Sequence, residues 1–327
     1  MRKAKITAVG CYTPPNQLTN DDLSKMVDTN DQWILERTGI RTRHIAPPDV
    51  ATSDMAVEAA KIALKNAGAD PTEIDCILLC TVTPDTMFPS TACIVQHQLG
   101  CTKAWGYDLI AACSGFVYGL TTAAHFIAAG THKKVLVIGA DTMSRIIDYT
   151  DRTTCVLFGD GAGAMVVEAS EDDTGFVGFK NEVDGSGGQY LHMPAGGSRM
   201  PASHETVEQR LHYVKQEGQQ VFKFAVRRMS EIAASLLAEH NLTTDDVQWM
   251  IPHQANKRII CAVSERLGLQ DRVVVNIADY GNTTAATIPL AARDALESGR
   301  LKKGDLVLFG AVGAGYTVGT NLWRWSY

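Results

Sequence analysis

The strongest constraint on the fold is that the two halves of the chain repeat one order of elements. Residues 53–80 and residues 224–253 each combine an amphipathic helical pattern, a turn with acidic residues and an apolar run that indicates a strand. Residues 106–141 and residues 273–311 each give a strand, a tight turn, a helix that ends at a glycine, and a second strand. This repeat predicts an α/β fold of two duplicated βαβ-rich halves, with parallel-type sheets covered by helices.

The repeat also relates individual residues in the two halves, which we place at 1–172 and 173–327. Gly130 and Gly299, which end the two helices, lie 169 residues apart, and the same offset relates Cys113 to Asn282. The repeat therefore predicts that a cysteine and an asparagine occupy the same strand-to-helix turn. If a pseudo-twofold axis relates the halves, we expect the two turns to meet at their shared interface.

The composition is that of a globular protein, with 45% hydrophobic residues and a net charge of −6. This charge argues against a general affinity for nucleic acid or an anionic membrane, and no apolar run approaches the length of a membrane span. The apolar stretch near the N-terminus is too short for a signal peptide. The eight cysteines form no C-x-x-C pair and no zinc-type cluster with histidines. We therefore expect a cytoplasmic protein with free cysteines and no metal site.

Three residues at predicted strand ends are candidates for chemistry. Cys113 opens an amphipathic helix, whose positive dipole end can stabilise a thiolate by about 1.4 kcal/mol, or roughly one pKa unit. We therefore expect about half of this thiol to be ionised near pH 7.5. His253 ends an apolar strand, and catalytic groups gather at such ends in α/β sheets. Taken singly, Cys113 and His253 also fit structural roles, and Asn282 fits a helix N-cap.

Two glycine-rich segments have different predicted roles. The glycine-rich part of residues 158–168 lies between two strand-like runs, residues 153–157 and residues 164–168, and lacks the Lys-Ser/Thr of a phosphate-binding loop, which favours a tight hairpin. Residues 310–319 follow an apolar strand. Their backbone N–H groups either face an oxyanion or belong to a packed turn.

Six segments along the chain resemble those of one known family. Their order and spacing are similar to those of β-ketoacyl-acyl-carrier-protein synthase III, a family of condensing enzymes with a thiolase-like fold, over essentially the whole chain. The segments are DTNDQWILERTGIRTRHIA, FPSTACIVQHQLG, AACSGF, DRTTCVLFGDGAGA, PHQANKRI and YGNTTAATIPLA. The resemblance implies five layers in the order α-β-α-β-α. It also implies an acyltransferase that condenses a short acyl-CoA with malonyl-acyl carrier protein, with acyl-CoA as a substrate and no cofactor.

The resemblance assigns the reaction to the three strand-end candidates. Cys113 is the implied nucleophile, which takes the acyl group from acyl-CoA as a thioester. His253 and Asn282 hydrogen-bond the thioester carbonyl of malonyl-acyl carrier protein and stabilise the enolate that forms as carbon dioxide leaves. The backbone N–H groups of Cys113 and Ala314 form a second oxyanion site, although many relatives carry glycine at the Ala314 position.

The resemblance also implies positions for the substrate and for partner proteins. Trp33 stacks with Arg152 around the adenine of CoA, and Arg37 lies near the phosphates. Phe88 reaches across a homodimer interface into the partner's acyl pocket, which Leu157 also lines. The remaining assignments are Thr29, Gly218 and Asn256 along the entrance tunnel, and Lys223, Lys257 and Arg258 in a basic patch that docks the acidic carrier protein. For this patch, solvated surface charge is the competing interpretation.

Other functions fit the sequence less well. Papain-like proteases also use Cys, His and Asn, and the 140 residues between Cys113 and His253 fall in their range. Their local signature around the cysteine is absent here, as is a secretory context. Non-catalytic carrier-binding relatives usually lose the cysteine. The alternative that stays open is a specialised type III ketosynthase of secondary metabolism with another acyl starter.

Overall fold

The computed structural model describes residues 3–327, which contain thirteen strands and eleven helices. The strands are β1 (Ala4–Tyr12), β2 (Gln17–Thr19), β3 (Thr42–His44), β4 (Cys76–Cys80), β5 (Trp105–Leu109), β6 (Lys134–Asp141), β7 (Gly161–Ala169), β8 (Gly175–Val183), β9 (Leu191–His192), β10 (Lys215–Gln216), β11 (Trp249–Pro252), β12 (Leu306–Gly313) and β13 (Thr317–Arg324). The helices are α1 (Asn20–Ser24), α2 (Asp31–Thr38), α3 (Thr52–Ala67), α4 (Thr91–Leu99), α5 (Gly115–Ala128), α6 (Arg152–Cys155), α7 (His204–Glu208), α8 (Gly218–Glu239), α9 (Lys257–Leu267), α10 (Ile277–Tyr280) and α11 (Thr287–Glu297). Within residues 3–327, no helix combines the length and the apolar character needed to cross a bilayer.

Two mixed sheets form the framework, in the orders β1-β7-β6-β4-β5 and β11-β12-β13-β8. The β4–β5, β4–β6 and β11–β12 pairs are parallel, whereas the other pairs in these two sheets are antiparallel. The prediction of parallel-type sheets is therefore only partly right. Helices cover both faces of each sheet, so the buried antiparallel strand β7 is as apolar as a parallel strand, and its direction leaves no mark on the hydrophobic pattern.

The two sheets and their helices stack as five layers. Cys76, Leu78 and Cys80 of β4 face a central core shared with α5, α11 and β12, because alternate side chains of a strand point to opposite faces. Ile77 and Leu79 face a second core with α3 and α4. A third core lies between β11–β13 and the helices α8 and α9. The predicted α-β-α-β-α arrangement is thus confirmed.

The chain passes from the first sheet to the second between β7 and β8. The exact division into halves 1–172 and 173–327 stays a prediction.

The repeat at the two strand-to-helix turns has an offset of 172 residues rather than 169. A 3-10 turn at Ala112–Ser114 leads into α5, and a 3-10 turn at Thr284–Ala286 leads into α11. Each turn opens on a residue in the left-handed region, with φ of 48° at Ala112 and 49° at Thr284. Cys113 is therefore equivalent to Ala285 and not to Asn282. The glycine alignment was wrong because α11 has 11 residues whereas α5 has 14.

The segment before β7 does not form the predicted hairpin. Residues 153–155 belong to the short helix α6, and β7 pairs with β1 and β6 instead. The side chain of Asp151 accepts a hydrogen bond from the backbone N–H of Thr153 and thereby starts the helical turn. This capping residue overrides the β propensity of the two threonines that follow.

Candidate active site

One cavity of about 660 Å³ brings most of the predicted site residues together. The predicted residues that line it are Trp33, Arg37, Cys113, Arg152, Leu157, Gly218, Lys223, His253, Asn256, Arg258 and Asn282. Thr29, Phe88, Lys257 and Ala314 are not among its lining residues. The cavity is also lined by residues that the sequence did not single out, among them Val156, Phe158, Leu191, Phe222 and Val312. These are apolar residues whose sequence signal is that of ordinary core positions.

Cys113 lies in the 3-10 turn immediately before α5 and is 7% exposed. Burial and, to a smaller extent, the negative charge of Asp141 raise the pKa of its thiol to about 12, against a lowering by the residue's own N–H. The thiol is therefore protonated at neutral pH. This differs from the expectation of a half-ionised thiol, because burial disfavours the charged thiolate and the sequence does not show how deeply the turn is buried.

The loop after β12 is packed tightly against the Cys113 turn. A Cβ at Gly313 would lie 2.8 Å from the backbone N of Cys113, so only glycine allows this approach. Thr317 Oγ1 donates to the carbonyl of Ala111 at 2.9 Å, and Ser114 Oγ donates to the carbonyl of Thr317 at 3.1 Å. The half-buried Ala314 lies within this anchored loop.

His253 directly follows β11 and is 4% exposed. Its backbone N–H continues the parallel pairing with β12 by donating to the carbonyl of Gly310 at 2.8 Å. Its Nδ1 lies 2.7 Å from Thr287 Oγ1, while its buried Nε2 has no hydrogen-bond partner among the residues that the structure describes. Burial lowers the pKa of the imidazole to about 3, so the ring is neutral at physiological pH.

Asn282 is held by the backbone of the segment that contains Leu157. Its N–H donates to the carbonyl of Leu157 at 2.9 Å, and its own carbonyl accepts from the N–H of Gly159 at 3.1 Å. Its side-chain Oδ1 accepts the N–H of Thr284 at 2.9 Å. Asn282 thus contributes to the turn that precedes α11, but it does not cap that helix, which begins at Thr287. The donor of this side chain is Nδ2, which the bond from Thr284 does not use.

Asp141 is a buried carboxylate behind these three residues that the sequence patterns did not identify. Burial raises its pKa, and hydrogen bonds from both halves of the molecule oppose that rise. The groups that donate to it are Thr81 Oγ1, Val82 N, Thr83 N and Thr83 Oγ1 from the first half, and Thr284 Oγ1 and Ala285 N from the second. The position of an acidic residue at the end of the apolar strand β6 is the signal that could have drawn attention to it.

The outer part of the cavity is aromatic and basic. The guanidinium carbons of Arg152 and Arg37 lie 5.1 Å and 5.7 Å from the centroid of the Trp33 ring, one cation–π contact each. Arg152 also donates to the carbonyl of Asp28 at 2.7 Å. The Asn256 side chain caps α9 through the N–H of Arg258 and donates to the carbonyl of Arg37 at 3.0 Å.

Three of the predicted residues, Thr29, Phe88 and Lys257, do not line the cavity. Phe88 is 86% exposed on the loop between β4 and α4. Lys257 is exposed at the start of α9, where its side chain packs against Gly39. Thr29 is partly buried, and its Oγ1 has no hydrogen-bond partner among residues 3–327.

Comparisons with known proteins identify relatives along the whole chain. A family described as 3-oxoacyl-[acyl-carrier-protein (ACP)] synthase III matches residues 107–185, and its C-terminal counterpart matches residues 237–325. Proteins from Solibacter usitatus and Koribacter versatilis, both named beta-ketoacyl-[acyl-carrier-protein] synthase III, are 69% and 58% identical to it. Both alignments cover 100% of this chain, with 100% and 99% of the respective relative.

A solved structure of similar fold agrees with these sequence matches. The crystal structure of 3-oxoacyl-[acyl-carrier-protein] synthase III from Aquifex aeolicus VF5 is 45% identical, with a TM-score of 0.91. The alignment covers 98% of this chain and 100% of that one. Sequence and fold agree over the full length, and this chain therefore belongs to the β-ketoacyl-[acyl-carrier-protein] synthase III family of condensing enzymes.

Proposed function

We propose that this protein condenses a short acyl-CoA starter with malonyl-acyl carrier protein to give 3-ketoacyl-acyl carrier protein, the initiating step of fatty acid synthesis. The observation that carries the proposal is that one cavity joins Cys113, His253 and Asn282 to the aromatic and basic opening around Trp33. Acyl-CoA enters as a substrate, and the reaction requires no resident cofactor.

The first half-reaction transfers the acyl group to Cys113. Its sulfur attacks the thioester carbonyl of acyl-CoA, the carbon–sulfur bond to CoA breaks, and the proton of the Cys113 thiol ends on the sulfur of CoA. The backbone N–H groups of Cys113 and Ala314 stabilise the tetrahedral oxyanion. The close packing of Gly313, at the end of β12, against the Cys113 turn supports this assignment.

The second half-reaction forms the new carbon–carbon bond. Asn282 Nδ2 and His253 Nε2 donate to the thioester carbonyl of the malonyl group, so that the electrons released with carbon dioxide are held as an enolate. Its carbon attacks the acyl-Cys113 carbonyl, and the Cys113 sulfur leaves as a thiolate that takes up a proton from water. The hydroxyl of Thr287 donates to the carbonyl of Thr284 at 3.1 Å and lies 2.7 Å from Nδ1. His253 serves as a neutral donor once this hydroxyl turns and donates to Nδ1, because the ring proton then resides on Nε2.

The opening of the cavity matches the chemistry of CoA. Trp33 and Arg152 provide flat surfaces for an adenine ring, and Arg37 provides positive charge for phosphates. Thr29, Gly218 and Asn256 are assigned to the tunnel, and Leu157 to the acyl pocket. The exposed side chains of Lys223, Lys257 and Arg258 are assigned to docking of the acidic carrier protein.

We further propose a cytoplasmic homodimer. The exposed side chains of Met87 and Phe88, together with Ile110 and Trp105 near the free edge of the first sheet, form apolar surface of the kind that protein interfaces bury. Phe88 would then reach the acyl pocket of the partner. All eight cysteines are unpaired, which fits a reducing compartment.

The test is to incubate the purified protein with labelled acetyl-CoA and malonyl-acyl carrier protein. We expect label on Cys113 and a 3-ketoacyl product. Cys113→Ala should lose acyl transfer, whereas His253→Ala should keep acylation and lose condensation by roughly 10²–10³-fold. The absence of both labelled Cys113 and product, with acetyl and with branched starters, would reject the proposal. Turnover only with an unusual starter would favour a ketosynthase of secondary metabolism.

A further inference from the structure

Thr284 lies in the turn that carries Asn282. It has a backbone conformation that β-branched residues rarely adopt. Its φ is 49°, in the left-handed region. Ala112, the equivalent residue of the other half, has φ of 48°. The turn itself therefore requires this conformation, but only the copy beside Asn282 has a side-chain hydroxyl.

This hydroxyl links the turn to the first half of the molecule. Thr284 Oγ1 donates to Asp141 Oδ2, while the other oxygen of Asp141 is held by donors at the end of β4, including Val82 N at 2.7 Å. The backbone N–H of Thr284 donates to Asn282 Oδ1 at 2.9 Å. All three side chains are at most 5% exposed, so no bulk water competes for these contacts.

We propose that Thr284, anchored on Asp141, is a positioning residue for decarboxylation, because its N–H fixes the amide of Asn282 with Nδ2 directed at the thioester carbonyl. The inference rests on the proposed function and deepens it. An amide whose Oδ1 is not held can rotate and present its acceptor to the carbonyl instead. Because acyl transfer to Cys113 does not use Asn282, the two half-reactions should respond differently to the loss of this anchor.

Three substitutions test the hydroxyl of Thr284 separately from the rest of the turn. Thr284→Val removes the hydroxyl and keeps the shape of the side chain, and Thr284→Ser keeps the hydroxyl. Thr283→Val is the matched control, because Thr283 is equally buried in the same turn and its Oγ1 has no partner within residues 3–327. Thr284→Gly adopts a φ of 49° without strain and replaces the valine variant if that variant does not fold.

The measurements are acylation of Cys113 by labelled acetyl-CoA and condensation with malonyl-acyl carrier protein, each as kcat and KM. We expect Thr284→Val to lower kcat of condensation roughly 10- to 100-fold while acylation and KM for the carrier protein stay within about threefold. Thr284→Ser and Thr283→Val should remain within about threefold of the unmodified protein. In an Asn282→Ala background, Thr284→Val should cost less than about threefold, since the residue it positions is gone.

Two outcomes would overturn the inference. If Thr284→Val or Thr284→Gly lowers acylation and condensation equally, or costs as much in the Asn282→Ala background, the role of Thr284 is structural. If condensation is unchanged, Thr284 has no role in it. The unmodified protein, measured in parallel, separates these results from a failure of the proposed function, because that failure would abolish condensation before any substitution.

Discussion

At the residue scale, the protonation state of Cys113 controls its reactivity towards small electrophiles. With a pKa of about 12, roughly one thiol in 10⁵ is ionised at pH 7. Because only the thiolate reacts, we expect the rate of Cys113 alkylation by iodoacetamide to rise about tenfold for each pH unit between pH 6 and pH 10. Mass spectrometry of the Cys113 peptide measures this rate, with Cys113→Ala as the control for the exposed Cys93 and Cys261. A plateau above pH 8 would show a helix-stabilised thiolate instead.

The same residue shows what a sequence can predict about a site. The position of Cys113 at a strand-to-helix turn followed from local patterns, and so did the strand-end position of His253. The pKa of the thiol did not, because it depends on burial by distant segments and on the charge of Asp141. The hydrogen bond that Asn282 Oδ1 accepts from Thr284 could not be predicted either, since it depends on the left-handed conformation of Thr284.

At the element scale, the end of β12 lies so close to the Cys113 turn that no side chain fits at Gly313. A Cβ at Gly313 would lie 2.7 Å from the carbonyl oxygen of Ala111 and 2.8 Å from the N of Cys113. We expect Gly313→Ala to lower the free energy of unfolding by about 1–3 kcal/mol and to slow acylation roughly tenfold or more, because the oxyanion donors move. Urea denaturation and the labelled acetyl-CoA assay measure the two effects.

Gly310→Ala in the same strand is the matched control for this substitution. Its added Cβ would meet the Met229 side chain at 3.3 Å, and a flexible methionine can move aside. Equal losses in the two variants would mean that neither glycine position of the strand tolerates a side chain. In that case, the approach to Cys113 would not be the cause.

Element boundaries were the weaker part of the prediction from sequence. The order of helices and strands was right for residues 106–141, because hydrophobic periodicity marks β5, α5 and β6. In the second copy the expected strand at the start of residues 273–311 was wrong, since Val273 makes only an isolated bridge to Met250 and the short helix α10 follows. The register of the two turns was wrong by three residues, because the helices that follow the turns differ in length. The two glycines mark the ends of the helices. Aligning them therefore shifts the starts of the helices, and the turns before them, by the difference in helix length.

At the scale of the whole molecule, the five layers followed from the resemblance to a known family, while the direction of β7 and β13 did not follow from any pattern. Both strands are buried, and their neighbours are antiparallel. A strand covered on both faces has the same composition in either direction. Strand direction therefore depends on how the connections run, for example the three residues between β12 and β13 that allow only a reversal.

The proposed dimer leads to a prediction that also concerns the whole molecule. If Phe88 inserts into the partner's acyl pocket, each dimer buries two such side chains, and each contributes about 1.5–3 kcal/mol. Replacing both by Phe88→Asp should raise the dimer dissociation constant roughly 10²–10⁴-fold. Light scattering after gel filtration should then give the 35.4 kDa monomer. The rate of condensation should fall when the dimer dissociates, because each acyl pocket loses the side chain that the partner contributes.

Two further variants distinguish this insertion from a general effect of exposed apolar surface. Phe88→Leu should remain dimeric and change the preference among starter acyl-CoAs, since the residue shapes the pocket without carrying charge. Val207→Asp alters a residue that is 63% exposed on α7, and it should change neither mass nor starter preference. A monomeric unmodified protein would exclude the homodimer. A dimeric Phe88→Asp variant with an unchanged starter profile would place Phe88 outside the partner's pocket, even if the dimer itself is real.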